Sequence, residues 1–208
     1  MKDQTMKLYS MPSSGNSYKV RLLLALLGRH DVPCIDVEYG SATLEQAHAE
    51  KRLPFGKAPV LELDDGTLLP ESNAILAYLG KDSRFVPNDP LAQAQMLSWM
   101  FWEQNQHEGV IAVRAALLTY PHRKAQATPE RLAELLVSGN GLLQIMDDHL
   151  STRDWLLGNN ASLADICLYA YTHTAETRGG FDLTPFPALR GWIGRVAALP
   201  GYVGLCDA

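Results

Sequence analysis

The chain has 208 residues, 47% of them hydrophobic, and a net charge of −5. That length holds one or two domains with ample core, and an acidic balance without a basic patch excludes nucleic acid as an expected partner. No apolar run reaches membrane-spanning length, and Met1-Lys2-Asp3-Gln4-Thr5 lacks the apolar core of a signal peptide, so the expected location is the cytoplasm, away from membranes.

In chain order, Leu8-Tyr9 reads as a strand, although alternation does not say which face Tyr9 takes. A turn from Pro12 to Gly15 leads into a helix whose apolar face is Val20, Leu23, Leu24 and Leu27 and which Gly28 stops. A strand near Ile35 to Val37, a short helix from Leu44 to Ala49 and a hairpin at Asp64-Asp65-Gly66 follow. A helix with Ile75, Leu76 and Leu79 on one face closes this part, and Ser72 is its expected N-cap. The stretch 82–90 is polar and proline-bearing and reads as a linker. Beyond it the strand signal ends: Leu91–Leu118, Pro129–Leu150, Ser162–Thr177 and Pro187–Leu199 carry helical periodicity. The sequence therefore predicts an α/β domain over 1–81, a linker over 82–90 and an all-helical domain over 91–208. Ser162 and Asp165 form a capping-box pattern and read as a folding element. Cys34, Cys167 and Cys206 show neither metal-ligand nor CxxC spacing, so no metal is expected and the thiols read as buried or incidental.

The stretch Lys57-Ala58-Pro59-Val60 and the pair Glu71-Ser72 carry the chemistry. Proline suits the first residue of a strand, and only X-Pro bonds have an appreciable cis population, so Ala58-Pro59 is a candidate cis turn. Such a turn would leave the Ala58 backbone to pair with a ligand's backbone like an added strand. The amides at the Ser72 helix start attract a carboxylate, and Glu71 suits an ammonium. A ligand end with both charges is an α-amino acid end, such as a γ-glutamyl group.

These features, with Met6-Lys7-Leu8-Tyr9-Ser10, Ser13-Ser14-Gly15-Asn16-Ser17-Tyr18-Lys19-Val20-Arg21, Asp154-Trp155-Leu156-Leu157-Gly158 and Ser162-Leu163-Ala164-Asp165-Ile166, resemble the cytosolic glutathione transferase family over nearly the whole chain. The resemblance implies a thioredoxin-like N-terminal domain ordered βαβ then ββα, an all-helical C-terminal domain, glutathione as co-substrate and a homodimer. It implies that Lys57 reaches the glycine carboxylate, with a solvated turn lysine as the alternative, and that Ala58, Pro59, Glu71 and Ser72 hold the rest of the tripeptide. A free thiol near pKa ~8.5 is mostly protonated at neutral pH and must be activated. By the resemblance Ser14 takes the place of the serine in serine-type classes, and Gly15-Asn16-Ser17-Tyr18-Lys19 looks like the loop of bacterial members that set an asparagine at the sulfur. The residues alone equally allow Ser13, Ser14, Asn16 and Ser17 as turn and cap residues, and Tyr9 stays open as a thiol partner. No cysteine stands at this place, which speaks against maleylacetoacetate isomerisation. His48 reads as a solvated helix histidine, with a contact to the same glycine carboxylate as the alternative the resemblance leaves open.

Trp99, Phe101, Trp102, His107 and Tyr120 offer aromatic surface for an electrophile pocket expected between the domains, or for core and dimer interface. The expected activity is transfer of glutathione to a small apolar electrophile. The alternatives are glutathione-dependent disulfide reduction and a non-catalytic binding or regulatory protein on the same fold.

Overall fold

The computed structural model describes residues 6–205, so Met1–Thr5 and Cys206 lie outside the described residues. The chain divides into two compact units: residues through Ser83 together with the chain from Leu199 onward, and Arg84–Ala198.

The first unit runs β1 (Lys7–Ser10), α1 (Gly15–Leu26), β2 (Cys34–Asp36), α2 (Ala42–Ala49), β3 (Val60–Glu62), β4 (Leu68–Pro70) and α3 (Ser72–Gly80). Its sheet has the order β2-β1-β3-β4, with β1 parallel to β2 and the other pairs antiparallel. Strand alternation sorts the side chains onto two faces. Leu8 and Leu61 pack with Val20, Leu24, Val32 and Ile75, while Tyr9 and Val60 pack with Val37, Ala47 and Leu53. Tyr9 thus lies on the α2 face. Gly28 ends α1 at φ +68°, and Gly66 turns the β3–β4 hairpin at φ +85°, conformations that an L side chain adopts only with strain.

The C-terminal segment of this unit lies along α1. Tyr18 Oη donates to the Val203 carbonyl at 2.7 Å, and a Cβ at Gly201, where φ is +88°, would stand 2.9 Å from the Ala25 carbonyl oxygen. The backbones approach so closely there that only glycine fits.

The second unit is helical: α4 (Pro90–Trp102), α5 (Val113–Thr119), α6 (Pro129–Leu150), α7 (Leu163–Thr172) and α8 (Pro187–Ala197), with a 3₁₀ turn over Pro121–Gln126. Asp89 and Thr128 cap α4 and α6, each followed by proline at the first turn. One helix is expected over Leu91–Leu118, but the structure inserts a π-helical segment, Glu103–Ala112, between α4 and α5. Glu103, His107 and Ile111 are the buried residues of this segment and share one face of it. The expected helix over Ser162–Thr177 ends at Thr172, beyond which the chain turns through Gly179 and Gly180. Buried α7 is the centre of this unit, and Ser162 with Asp165 forms the capping box at its start. Among the described residues no helix is long and apolar enough to cross a membrane.

Candidate active site

The loop from Met11 to Ser14 joins β1 to α1, and its polar groups and those of the adjoining first turn are pinned from several directions. Ser13 donates through its amide and its hydroxyl to the two carboxylate oxygens of Glu38, at 3.0 and 2.9 Å. Ser17 Oγ accepts from the Met11 amide at 2.9 Å, and the Ser14 amide donates to the Met11 carbonyl at 3.0 Å. Ser14 is the N-cap of α1, its Oγ accepting from the Ser17 amide at 3.5 Å. A long cap bond leaves the Ser14 hydroxyl hydrogen directed elsewhere, since the cap uses only an oxygen lone pair.

Asn16, half-buried in the first turn of α1, meets Ser72. Ser72 Oγ donates to Asn16 Oδ1 at 3.0 Å, joining residues 56 positions apart. With Oδ1 accepting, Nδ2 is the donor end of the amide. Ser72 is therefore not the N-cap that helical spacing suggests. It is the first residue of α3, and its hydroxyl turns across to α1; Glu71 takes the cap position without a side-chain cap bond. Glu71 has φ +72° and ψ +113°, outside the ordinary region for a residue with a Cβ, and its side chain is exposed. Backbone strain of this kind costs on the order of 1–3 kcal/mol and gathers where function fixes a side chain's direction.

The Ala58-Pro59 bond is cis. The antiparallel ladder starts at Val60, opposite Tyr9 and Pro70, and stops short of Ala58, whose amide and carbonyl lie beyond its end. Lys57 is exposed beside Gly56, and His48 is exposed on α2. Tyr9 is committed elsewhere. Its hydroxyl donates to the buried Glu62 carboxylate at 3.0 Å, and Lys7 and Arg52 ion-pair with the same carboxylate at 3.3 and 3.4 Å. Burial first, then Glu62, push the Tyr9 pKa up to about 12, so it is a weak proton donor for a sulfur.

The aromatic candidates separate. Trp99 and Trp102, edge to face at 5.4 Å, line a cleft of about 520 Å³ within the helical unit, with Ile145, His149 and Leu156. Phe101 is exposed, His107 is buried and hydrogen-bonded to Thr172 Oγ1 at 3.0 Å, and Tyr120 stacks on His122. Cys34 is exposed and Cys167 buried, its Sγ 3.3 Å from Glu103 Oε2.

Sequence reasoning missed Glu38 and Arg21. Glu38 carries no local signal, because its partner lies 25 residues away. Arg21 does carry one: a charged residue inside the apolar run Val20-Arg21-Leu22-Leu23-Leu24, on a helix buried on nearly every side.

Residues 8–85 match the family model of the glutathione S-transferase N-terminal domain, and residues 110–200 that of the glutathione S-transferase C-terminal domain. This chain belongs to the glutathione S-transferase family. It is similar to a glutathione S-transferase from Pseudomonas fluorescens Pf-5, 40% identical with a TM-score of 0.90 over 97% of this chain and 99% of that one. A glutathione transferase family member from the same organism, with two glutathione bound, shares the fold at 20% identity and a TM-score of 0.82, over 97% of this chain and 92% of that one. Among curated relatives, the disulfide-bond oxidoreductase YfcG of Escherichia coli is 28% identical over 93% of this chain and 90% of its own length. Elongation factor 1-gamma of Artemia salina is also similar, but the match spans only 40% of that protein.

Proposed function

We propose that this chain binds glutathione in its first unit and activates the thiol for attack on a small apolar electrophile. The observation that carries the reading is the 3.0 Å hydrogen bond from Ser72 Oγ to Asn16 Oδ1. It fixes the helix start suited to an amino-acid end against the loop suited to a sulfur, and with Oδ1 accepting it makes Nδ2 the donor end of the Asn16 amide. Glu71 would pair with the α-ammonium and the α3 amides with the α-carboxylate. Ala58 would pair with the peptide backbone beside Pro59, and Lys57 with the glycine carboxylate. Asn16 and Ser14 would donate to the thiolate sulfur, with the start of α1 adding a favourable field. In the transfer step the S–H proton leaves to solvent, sulfur bonds to the electrophilic carbon, and a leaving group such as chloride departs with its electron pair.

Disulfide reduction is the second reading, favoured by the YfcG relative and by the absence of cysteine between Lys7 and Ser17. There the bound thiolate attacks a disulfide sulfur and releases a thiolate, and a second glutathione resolves the mixed disulfide. A conjugation assay with a chlorinated nitroarene beside reduction of hydroxyethyl disulfide separates the two. The first reading expects conjugation to dominate; reduction without conjugation replaces it with the second.

A homodimer belongs to this proposal. On α4 and α6, Leu91, Leu97, Phe101, Val137 and Ile145 are exposed, apolar area that an isologous partner would cover. Light scattering at micromolar concentration is expected to give twice the chain mass, and a monomer mass would remove this part of the reading.

A further inference from the structure

Arg21 is buried on α1; its two terminal nitrogens donate to the loop before that helix and to the C-terminal segment, while Nε has no hydrogen-bond partner among the described residues. One terminal nitrogen donates to Ser10 Oγ at 2.6 Å and to the Met11 carbonyl at 3.3 Å; the other donates to the Pro12 carbonyl at 2.9 Å and to the Leu205 carbonyl at 3.3 Å. One planar fork thus ties three consecutive residues, Ser10, Met11 and Pro12, to the C-terminal segment that Tyr18 holds against α1.

Burying a cation is costly, and the usual remedy is a carboxylate partner. Among the described residues the hydrogen-bond acceptors of Arg21 are instead a hydroxyl and three carbonyls, and no carboxylate of those residues lies within ion-pair distance. Burial disfavours its charged form, and Asp36 and Glu38 favour that form only through space. Among the described residues the positive charge is therefore held by neutral oxygens against the loop that leads into Ser14 and Asn16. Glu38 holds Ser13 from the other side, so the loop is clamped between a carboxylate and a guanidinium.

We propose that Arg21 is a positioning residue for thiol activation, its fork setting the Ser10–Pro12 backbone that delivers Ser14 and Asn16 to the sulfur and coupling that backbone to the C-terminal segment at Leu205. The inference rests on the glutathione-activating reading above. It separates from that reading because Lys57, Glu71 and Ser72, the groups proposed to bind the ligand, make no bond to Arg21.

The test is Arg21→Lys, which keeps the charge but cannot span four acceptors from one plane. The midpoint at which bound glutathione forms thiolate is expected to rise by about one pH unit. Near neutral pH kcat/KM should fall about tenfold, in proportion to the lost thiolate, and should recover as pH rises through the ordinary thiol range. The glutathione KM should stay within about twofold of the parent. A merely structural defect would not recover with pH. Ser10→Ala, which removes one acceptor, is expected to move the same midpoint in the same direction by less, and it decides the matter if Arg21→Lys loses its cooperative thermal transition. Unchanged midpoints in the folded variants overturn the role of Arg21 while leaving glutathione activation standing; a parent that does not lower the thiol midpoint overturns the underlying reading instead.

Discussion

Asp165→Ala is expected to destabilise the protein by about 3–5 kcal/mol, the range for breaking a buried polar network. Asp165 is fully buried at the start of α7 and accepts four hydrogen bonds. Oδ1 takes the Leu156 amide at 3.0 Å and Trp192 Nε1 at 2.9 Å, and Oδ2 takes the Ser162 amide and hydroxyl, both at 2.8 Å. Burial pushes the carboxyl up from its ordinary range while the four donors pull it down. All four partners present hydrogens, so each oxygen must accept. Asp165→Asn turns one of them into a donor facing two donors, and it should cost nearly as much as alanine. Denaturant unfolding of both variants checks this, and a loss below about 1 kcal/mol in either would show that the network is not what holds α7, α8 and the Leu156 turn together.

Glu71 is expected to separate stability from binding. At φ +72° a glycine is unstrained, so Glu71→Gly should raise the unfolding free energy by about 1 kcal/mol. The same change removes the carboxylate proposed for the ligand's ammonium and should weaken glutathione binding by about 1.5–3 kcal/mol, tenfold or more in Kd. Glu71→Ala keeps the strain and should lose binding alone. Thermal unfolding paired with titration calorimetry reads both effects. If Glu71→Gly gained stability and bound glutathione as tightly as the parent, the strained backbone would not be holding a ligand-binding carboxylate.

Local signals in the sequence disclosed much of this. Ser14, Asp89 and Thr128 stand where caps belong, Pro90, Pro129 and Pro187 where helices begin, and Gly28 and Gly66 where φ turns positive. What stayed hidden depends on contacts between distant residues. Ser72 reads as a cap because serine at a helix start usually is one; only α1 packed beside α3 supplies Asn16 as a better partner for its hydroxyl. The face of Tyr9 needs the register with Val60, and the role of Glu62 needs Lys7, Tyr9 and Arg52 to gather round it. The π-helical segment stayed hidden because burial of Glu103, His107 and Ile111 at four-residue spacing fits an ordinary α-helix equally well. Arg21 looks like an interruption in an apolar helix until the loop and the C-terminal segment close round it.

The most direct test of the account is a titration of the ultraviolet absorbance of the bound glutathione thiolate against pH, in the parent, Ser14→Ala, Asn16→Ala and the double variant. The parent midpoint is expected well below the ~8.5 of a free thiol. Each single variant should move part of the way back and the double variant furthest, a tenfold loss of thiolate over thiol corresponding to ~1.4 kcal/mol. A parent in which bound glutathione titrates at the free value would contradict the claim that this site activates the thiol.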